Sequence, residues 1–68
     1  MLNQLTEREL AVLDGLSSGY QNKRIAYGLG VSRMTVHNYI ASMCKKVGVN
    51  GRVELAVWYI QQGKVAST

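Results

Sequence analysis

The 68-residue sequence has no proline, no phenylalanine, one cysteine and only four acidic residues. A lone cysteine, Cys44, excludes an intramolecular disulfide and a cysteine-rich metal cluster, as expected in a reducing compartment. No apolar run reaches the roughly 20 residues of a membrane-spanning helix, and no basic-then-apolar leader opens the chain. We therefore expect a single cytoplasmic domain over residues 1–68, with no membrane partner.

Residue sets that carry out catalysis are missing as well. The sequence has no paired-carboxylate, Ser/His/Asp or Cys/His arrangement and no glycine-rich phosphate loop. His37, the only histidine, has no Cys, Asp or Glu at metal-ligand spacing. So short a chain also leaves little material to wall a buried substrate cleft. We expect no enzyme, no metal and no cofactor, and a function exerted across the surface.

What the chain does have is positive charge and enough apolar residues to fold. Eight Lys and Arg against four Asp and Glu give a formal net charge of +4, and 47% of the residues are hydrophobic. The hydrophobic fraction favours a folded domain over a disordered tail. The charge favours a polyanionic partner such as nucleic acid.

Hydrophobic spacing predicts four helices and no strands, which is an all-α fold. The first helix should run from Glu7 to residues 16–18, because Thr6 can cap it and Glu9 can complete a capping box. Its apolar stripe contains Leu10, Leu13 and Leu16. Gly15 interrupts that stripe and weakens the helix by about 1 kcal/mol relative to alanine.

A sharp turn separates the second and third predicted helices. A short helix over residues 22–29 ends at Gly30, where glycine can adopt a left-handed conformation, and Ser32 can cap a longer helix over residues 33–47. The core face of this third helix is predicted to contain Val36, Ile40, Met43 and Val47. Its opposite face carries Met34, His37, Asn38, Ala41 and Lys45.

The fourth predicted helix starts at Asn50 or Gly51 and runs to about Gln62, and residues 64–68 are expected to form a frayed tail. One apolar stripe is formed by Val53, Ala56, Val57 and Ile60, while Leu55, Trp58 and Tyr59 lie partly off it. This helix is apolar around more of its circumference than one core contact requires. Part of its surface is therefore available to a partner.

The order of short helix, glycine-containing turn and serine-capped helix over residues 22–47 is that of a helix-turn-helix motif. An α-helix with its side chains fits the major groove of B-DNA, which is about 12 Å wide. The starts of the second and third helices would then direct N–H groups and basic side chains at phosphates. The predicted phosphate contacts are Lys23, Arg24, Arg33, Thr35 and Lys45, and Lys46 belongs to the same basic set. The alternative for these Lys and Arg side chains is an ordinary solvated coat.

The exposed face of the third helix carries the candidate base contacts. Asn38 can pair with adenine through two hydrogen bonds, although a solvated polar residue is the alternative. His37 is expected to face solvent or a base. Met34 and Ala41 are candidates for contact with thymine methyl groups, or they only fill the surface.

Four stretches of the chain, LTERELAVL, GYQNKRIAYGLGVS, TVHNYI and KKVGVNGRVELAV, resemble the LuxR-type (GerE-type) DNA-binding domain of bacterial transcription regulators. The resemblance covers residues 5–60 and implies a four-helix bundle whose third helix reads bases in the major groove through His37, Asn38 and Ala41. Lys23 and Thr35 would contact the backbone. Arg8, Glu9, Arg52 and Glu54 are expected to act as caps and ion pairs that hold the first and fourth helices in place.

The resemblance also implies partners. The fourth helix would pair with its twin in a homodimer on two half-sites, with Val53, Val57 and Trp58 as the candidate interface, and RNA polymerase is a further candidate partner. The alternative for Trp58 is a place at the edge of the core. A LuxR-type domain would be cytoplasmic and associated with the nucleoid when bound to DNA.

The chain departs from the family pattern at several positions. His37 stands where Lys is common, Tyr39 where His is common, and Gly15 where a larger apolar residue is usual. Gln21 and Arg24 replace Ser or Thr and Glu, which makes the start of the second helix more basic.

Two other functions compete with this interpretation. A promoter-reading domain of a sigma factor has a similar opening and helix-turn-helix, but the stretch KVGVNGRVELAV argues against it. A protein-interaction module would work through the exposed part of the fourth helix and would not bind DNA.

Overall fold

A computed structural model describes residues 5–64, with side chains described for residues 5–62. Within these residues the chain forms four helices and no strand: α1 (Glu7–Ser17), α2 (Asn22–Leu29), α3 (Arg33–Val47) and α4 (Arg52–Tyr59). The π-helical turn Ile60–Lys64 continues α4. The predicted all-α class and the bounds of the first three helices are therefore confirmed. The predicted frayed tail begins at the last described residue, and residues 65–68 lie outside the described part.

Reciprocal hydrogen bonds fix the start of α1. The Thr6 hydroxyl accepts a hydrogen bond from the Glu9 backbone N–H at 3.1 Å, and the Glu9 carboxylate accepts one from the Thr6 backbone N–H at 2.9 Å. This is the capping box that the sequence predicts. It draws the Glu9 carboxylate inward over the first turn, where only 4% of the residue is exposed.

The turn of the helix-turn-helix depends on Gly30 and Ser32. Gly30 ends α2 with φ +71°, the left-handed conformation that glycine adopts without a Cβ clash. The Ser32 hydroxyl then caps α3 by accepting a hydrogen bond from the Thr35 backbone N–H at 3.0 Å. Because only Val31 separates the two caps, the chain changes direction sharply between α2 and α3.

Side chains from all four helices form the core. The buried apolar residues are Leu5, Val12, Leu13, Leu16, Ile25, Ala26, Val36, Ile40, Met43 and Leu55. At the contact of α1 with α2, Gly15 makes room for Ile25, since a Cβ at Gly15 would lie 3.0 Å from Ile25 Cγ1. The position that weakens α1 as an isolated helix thus allows α2 to pack closely against it.

The fourth helix buries a different face from the one that its apolar stripe suggested. Leu55 is fully buried, and Trp58 and Tyr59 pack half-buried against the core, whereas 73% of Val53 and 48% of Val57 are exposed. The two faces are both apolar, so periodicity could not choose between them. The face with the larger side chains removes more apolar surface from water. None of the helices formed by residues 5–64 combines the length with the apolar character that a membrane span requires.

Candidate nucleic-acid interface

The outer face of α3 is open to solvent over its first three turns. His37, Asn38 and Ala41 are all exposed, and 66% of Met34 is exposed. On the opposite side of the same helix Val36, Ile40 and Met43 are buried. The predicted base-contacting residues therefore lie together on one exposed helix face, while the core holds the helix from behind.

Exposed basic residues lie at the ends of α2 and α3. Between Asp14 and Glu54 the sequence contains no acidic residue but holds six of the eight Lys and Arg. Among the predicted phosphate contacts, Lys23 and Arg24 are exposed on the first turn of α2, and Arg33 is exposed at the first position of α3. Lys45 is exposed near the end of α3. Four cations thus lie at the ends of the two helices with no carboxylate nearby in sequence.

Thr35 is the one predicted phosphate contact that is only half-exposed. Its hydroxyl lies 2.9 Å from the hydroxyl of Ser32. Only one of the two hydroxyl protons is needed for that hydrogen bond. The other proton can be donated to an acceptor in front of the start of α3.

Arg24 stacks on a residue that the sequence did not single out. Its guanidinium carbon lies 4.0 Å from the centre of the Tyr20 ring, a distance typical of cation–π contact. Another tyrosine without an assigned role, Tyr27, is 90% exposed on the same helix as Arg24. Aromatic residues interleaved with basic ones were the signal available in the sequence for both positions.

Lys46 does not belong to the basic set in which the sequence placed it. Its ammonium lies 2.8 Å and 3.1 Å from the two Glu9 carboxylate oxygens, which joins α3 to α1. Burial raises the pKa of the Glu9 carboxyl, but hydrogen bonds from Lys46 and Thr6 outweigh burial and hold that pKa below its ordinary value. Glu9 therefore caps α1 and forms an ion pair, the kind of structural role that was expected of it, and the ion pair joins α1 to α3.

Arg8, Arg52 and Glu54 are the other residues that were expected to act as caps and ion pairs. Arg8 reaches from α1 to the Leu29 carbonyl at the end of α2, with an N···O distance of 3.4 Å. Arg52 and Glu54 are exposed on the first turn of α4. Cys44 is half-buried, and burial together with the nearby Glu54 raises the pKa of its thiol. A partly buried thiol with a raised pKa behaves as a small apolar residue and not as a reactive nucleophile.

Residues 3–59 match the model of the family described as "Bacterial regulatory proteins, luxR family". The chain belongs to this family. Its relatives include the transcriptional regulatory protein YdfI of Bacillus subtilis, 42% identical over 60 residues, which cover 88% of this chain and 28% of YdfI. The nitrate/nitrite response regulator proteins NarP and NarL of Escherichia coli are 43% identical over 58 residues and 41% identical over 61 residues.

The matched segment covers 85% and 90% of this chain but only 27% of NarP and 28% of NarL. The chain thus spans little more than a quarter of the length of these relatives. As a member of the LuxR family, the chain is a DNA-binding domain of transcription regulators. This family is not a class of enzymes. Over residues 5–64 no group of three His, Cys, Asp or Glu side chains could hold a metal ion.

Proposed function

We propose that this LuxR-family domain recognises a specific double-stranded DNA sequence by placing the outer face of α3 in the major groove. The observation that carries the proposal is the joint exposure of His37, Asn38 and Ala41 on a helix whose other face is core. A face of small and medium polar groups can approach base edges closely, whereas a dense coat of charged side chains would stay among the phosphates.

The predicted base and phosphate contacts each have a role in this arrangement. Asn38 offers an amide that can both donate to and accept from adenine, and His37 offers a ring nitrogen to a neighbouring base. Met34 and Ala41 present apolar groups to thymine methyls. Phosphates are contacted by Lys23, Arg24, Arg33, Thr35 and Lys45.

The domain acts as a homodimer on two half-sites, paired through the outer face of α4. Val53 and Val57 are one helical turn apart and both are exposed, which supports an apolar contact between two copies. Trp58 packs half-buried against its own core, so it can supply only its outer edge to that contact. The domain works in the cytoplasm on the nucleoid, where RNA polymerase is its second candidate partner.

A selection of bound sequences from a random duplex pool tests the proposal directly. We expect one motif to be enriched, and we expect Asn38→Ala to lower affinity for it by about 1–3 kcal/mol, because a bidentate base contact is lost. Affinity for a scrambled duplex should change little. Gln61→Ala, an exposed amide on the turn after α4, is the matched control and should bind both duplexes as the parent does.

Two outcomes would contradict the proposal. Absence of an enriched motif would mean that the domain does not read sequence. Equal losses on the selected and the scrambled duplex with Asn38→Ala would remove Asn38 from the base contacts.

A further inference from the structure

A groove of about 670 Å³ runs over α2, between the loop after α1 and the start of α3. Its basic lining comes from Lys23, Arg24 and Arg33, and its aromatic lining from Tyr20 and Tyr27. No acidic side chain lines it. The groove is adjacent to the reading face of α3 without being part of it, since Arg33 lies at the first position of that helix.

We propose that this groove holds the sugar-phosphate backbone of one DNA strand beside the bases read by α3, with Tyr27 and Arg24 as its contacts. The inference rests on the proposed function, which already includes the basic residues of the groove as phosphate contacts, and extends those contacts to its two tyrosines. Three cations facing a groove without a carboxylate complement a polyanion. In the proposed complex, the DNA strand whose phosphates pass the start of α3 is the polyanion nearest to this groove.

Tyr27 is suited to this contact by its position. At 90% exposure its ring contributes almost nothing to the core, unlike Tyr39 and Tyr59, which pack partly buried against the core. A phenol hydroxyl can donate a hydrogen bond to a phosphate oxygen, and the ring can lie against a deoxyribose. Tyr27 is one helical turn from Lys23, so a phosphate between them would contact both side chains.

Arg24 is held for the same contact by Tyr20. With the guanidinium carbon 4.0 Å from the ring centre, the plane of the guanidinium is supported while its N–H groups remain available at the edge. Stacking also restricts a long side chain before binding, which reduces the conformational entropy lost on DNA. Tyr20 is thus a positioning residue that acts through Arg24.

The test compares two tyrosine variants with Asn38→Ala on the selected duplex and on a scrambled one. Tyr27→Phe removes a single hydroxyl from an exposed ring and should weaken binding about three- to tenfold on both duplexes, as expected for loss of one phosphate hydrogen bond. Tyr20→Leu should weaken binding on both duplexes by releasing Arg24. Tyr59→Phe removes a hydroxyl outside the groove and is the matched control, with no change expected.

A scan with single neutral methylphosphonate substitutions then locates the contact. At the phosphate that Tyr27 contacts, the methylphosphonate should lower the affinity of the parent. On that substituted duplex Tyr27→Phe should bind no more weakly than the parent does, because the methylphosphonate and the Tyr27→Phe substitution remove the same hydrogen bond. If Tyr27→Phe and Tyr27→Ala both bind as tightly as the parent, the inference is overturned and the groove serves another macromolecule, such as an acidic protein segment.

Failure of this inference can be distinguished from failure of the proposed function. If the parent shows no sequence preference and Asn38→Ala has no selective effect, the proposed function is wrong. If both behave as expected while the Tyr27 variants bind normally, only the groove contact is wrong.

Discussion

Glu9 is the one acidic side chain that is buried among the described residues, and two donor groups satisfy its carboxylate. Its carboxylate accepts hydrogen bonds from the Thr6 backbone and from the Lys46 ammonium. The capping box was predictable because its residues are three apart in sequence. The pair with Lys46 was not, since the two residues are 37 apart and nothing in local spacing links a cap on α1 to the end of α3.

Removal of Lys46 should therefore destabilise the fold. We expect Lys46→Gln to lower the free energy of unfolding by about 1–3 kcal/mol, because a buried carboxylate loses its charged partner. Lys45→Gln, the exposed neighbour on the same turn, is the control and should have little effect on unfolding. Urea denaturation at neutral pH measures both, and equal stabilities would show that Glu9 does not need Lys46.

The same carboxylate predicts an acid dependence of stability. The folded protein holds the pKa of Glu9 below its ordinary value, so the unfolded chain binds the proton more readily. Glu9 therefore contributes stability above its unfolded pKa, and the contribution is lost as pH falls through the lower folded pKa. The difference between the parent and Lys46→Gln should narrow in that acid range, and a constant difference down to full protonation would contradict this account.

At the scale of elements, the bounds and the buried face of α3 were predictable from the sequence, whereas the buried face of α4 was not. In α3 one face is apolar and the other is polar, so the 3.6-residue period assigns each residue to core or solvent. In α4 both faces are apolar, and burial depends on which face the other three helices can cover. The Gly15 contact shows the same limit, because the sequence shows a weakened helix but not the Ile25 side chain against it.

The glycines of α1 and α2 should respond differently to alanine. A Cβ at Gly28 meets nothing within 4 Å, so Gly28→Ala should stabilise the protein by roughly 0.5–1 kcal/mol through helix propensity. A Cβ at Gly15 would lie 3.0 Å from buried Ile25, and the crowding should cancel that gain. Thermal or urea unfolding compares the two variants. Equal gains would mean that Ile25 yields to the new methyl without cost.

The exposed outer face of α4 leads us to predict how the proposed homodimer assembles on DNA. Val53 and Val57 are exposed, so Val53→Glu with Val57→Glu should leave the monomer folded while placing like charges in the proposed interface. Affinity for a duplex with two half-sites should then fall at least about tenfold, because the second binding event is no longer linked to the first. Affinity for a single half-site should fall much less. A substantial change on the single half-site would locate these residues in the DNA contact instead.

At the scale of the whole molecule, the fold followed from signals that agree with one another. Capping residues, glycine stops and apolar spacing all specify the same helix boundaries, which is why the all-α architecture and three of the four helices were predicted with their limits. The groove over α2 was not predictable, because Tyr20, Tyr27 and Arg33 come together only through the angle between α2 and α3.

The charge distribution of the molecule predicts a strong dependence of DNA affinity on salt concentration. Six of the eight Lys and Arg lie in a stretch without any carboxylate, and Lys23, Arg24, Arg33 and Lys45 within it are exposed. Phosphate neutralisation by several such cations should release counterions, so affinity for duplex DNA should fall by orders of magnitude between ~50 and ~200 mM salt.

Lys23→Gln should reduce the slope of log affinity against log salt by about one, whereas Asn38→Ala should leave the slope unchanged. Lys46→Gln, assayed at a temperature where its circular dichroism matches that of the folded parent, is the matched cation control, since that ammonium is already paired with Glu9. A flat salt dependence would exclude the phosphate contacts while leaving the fold intact, and an equal change in slope for Lys23→Gln and Lys46→Gln would mean that net charge, and not the position of the cations around α3, drives binding.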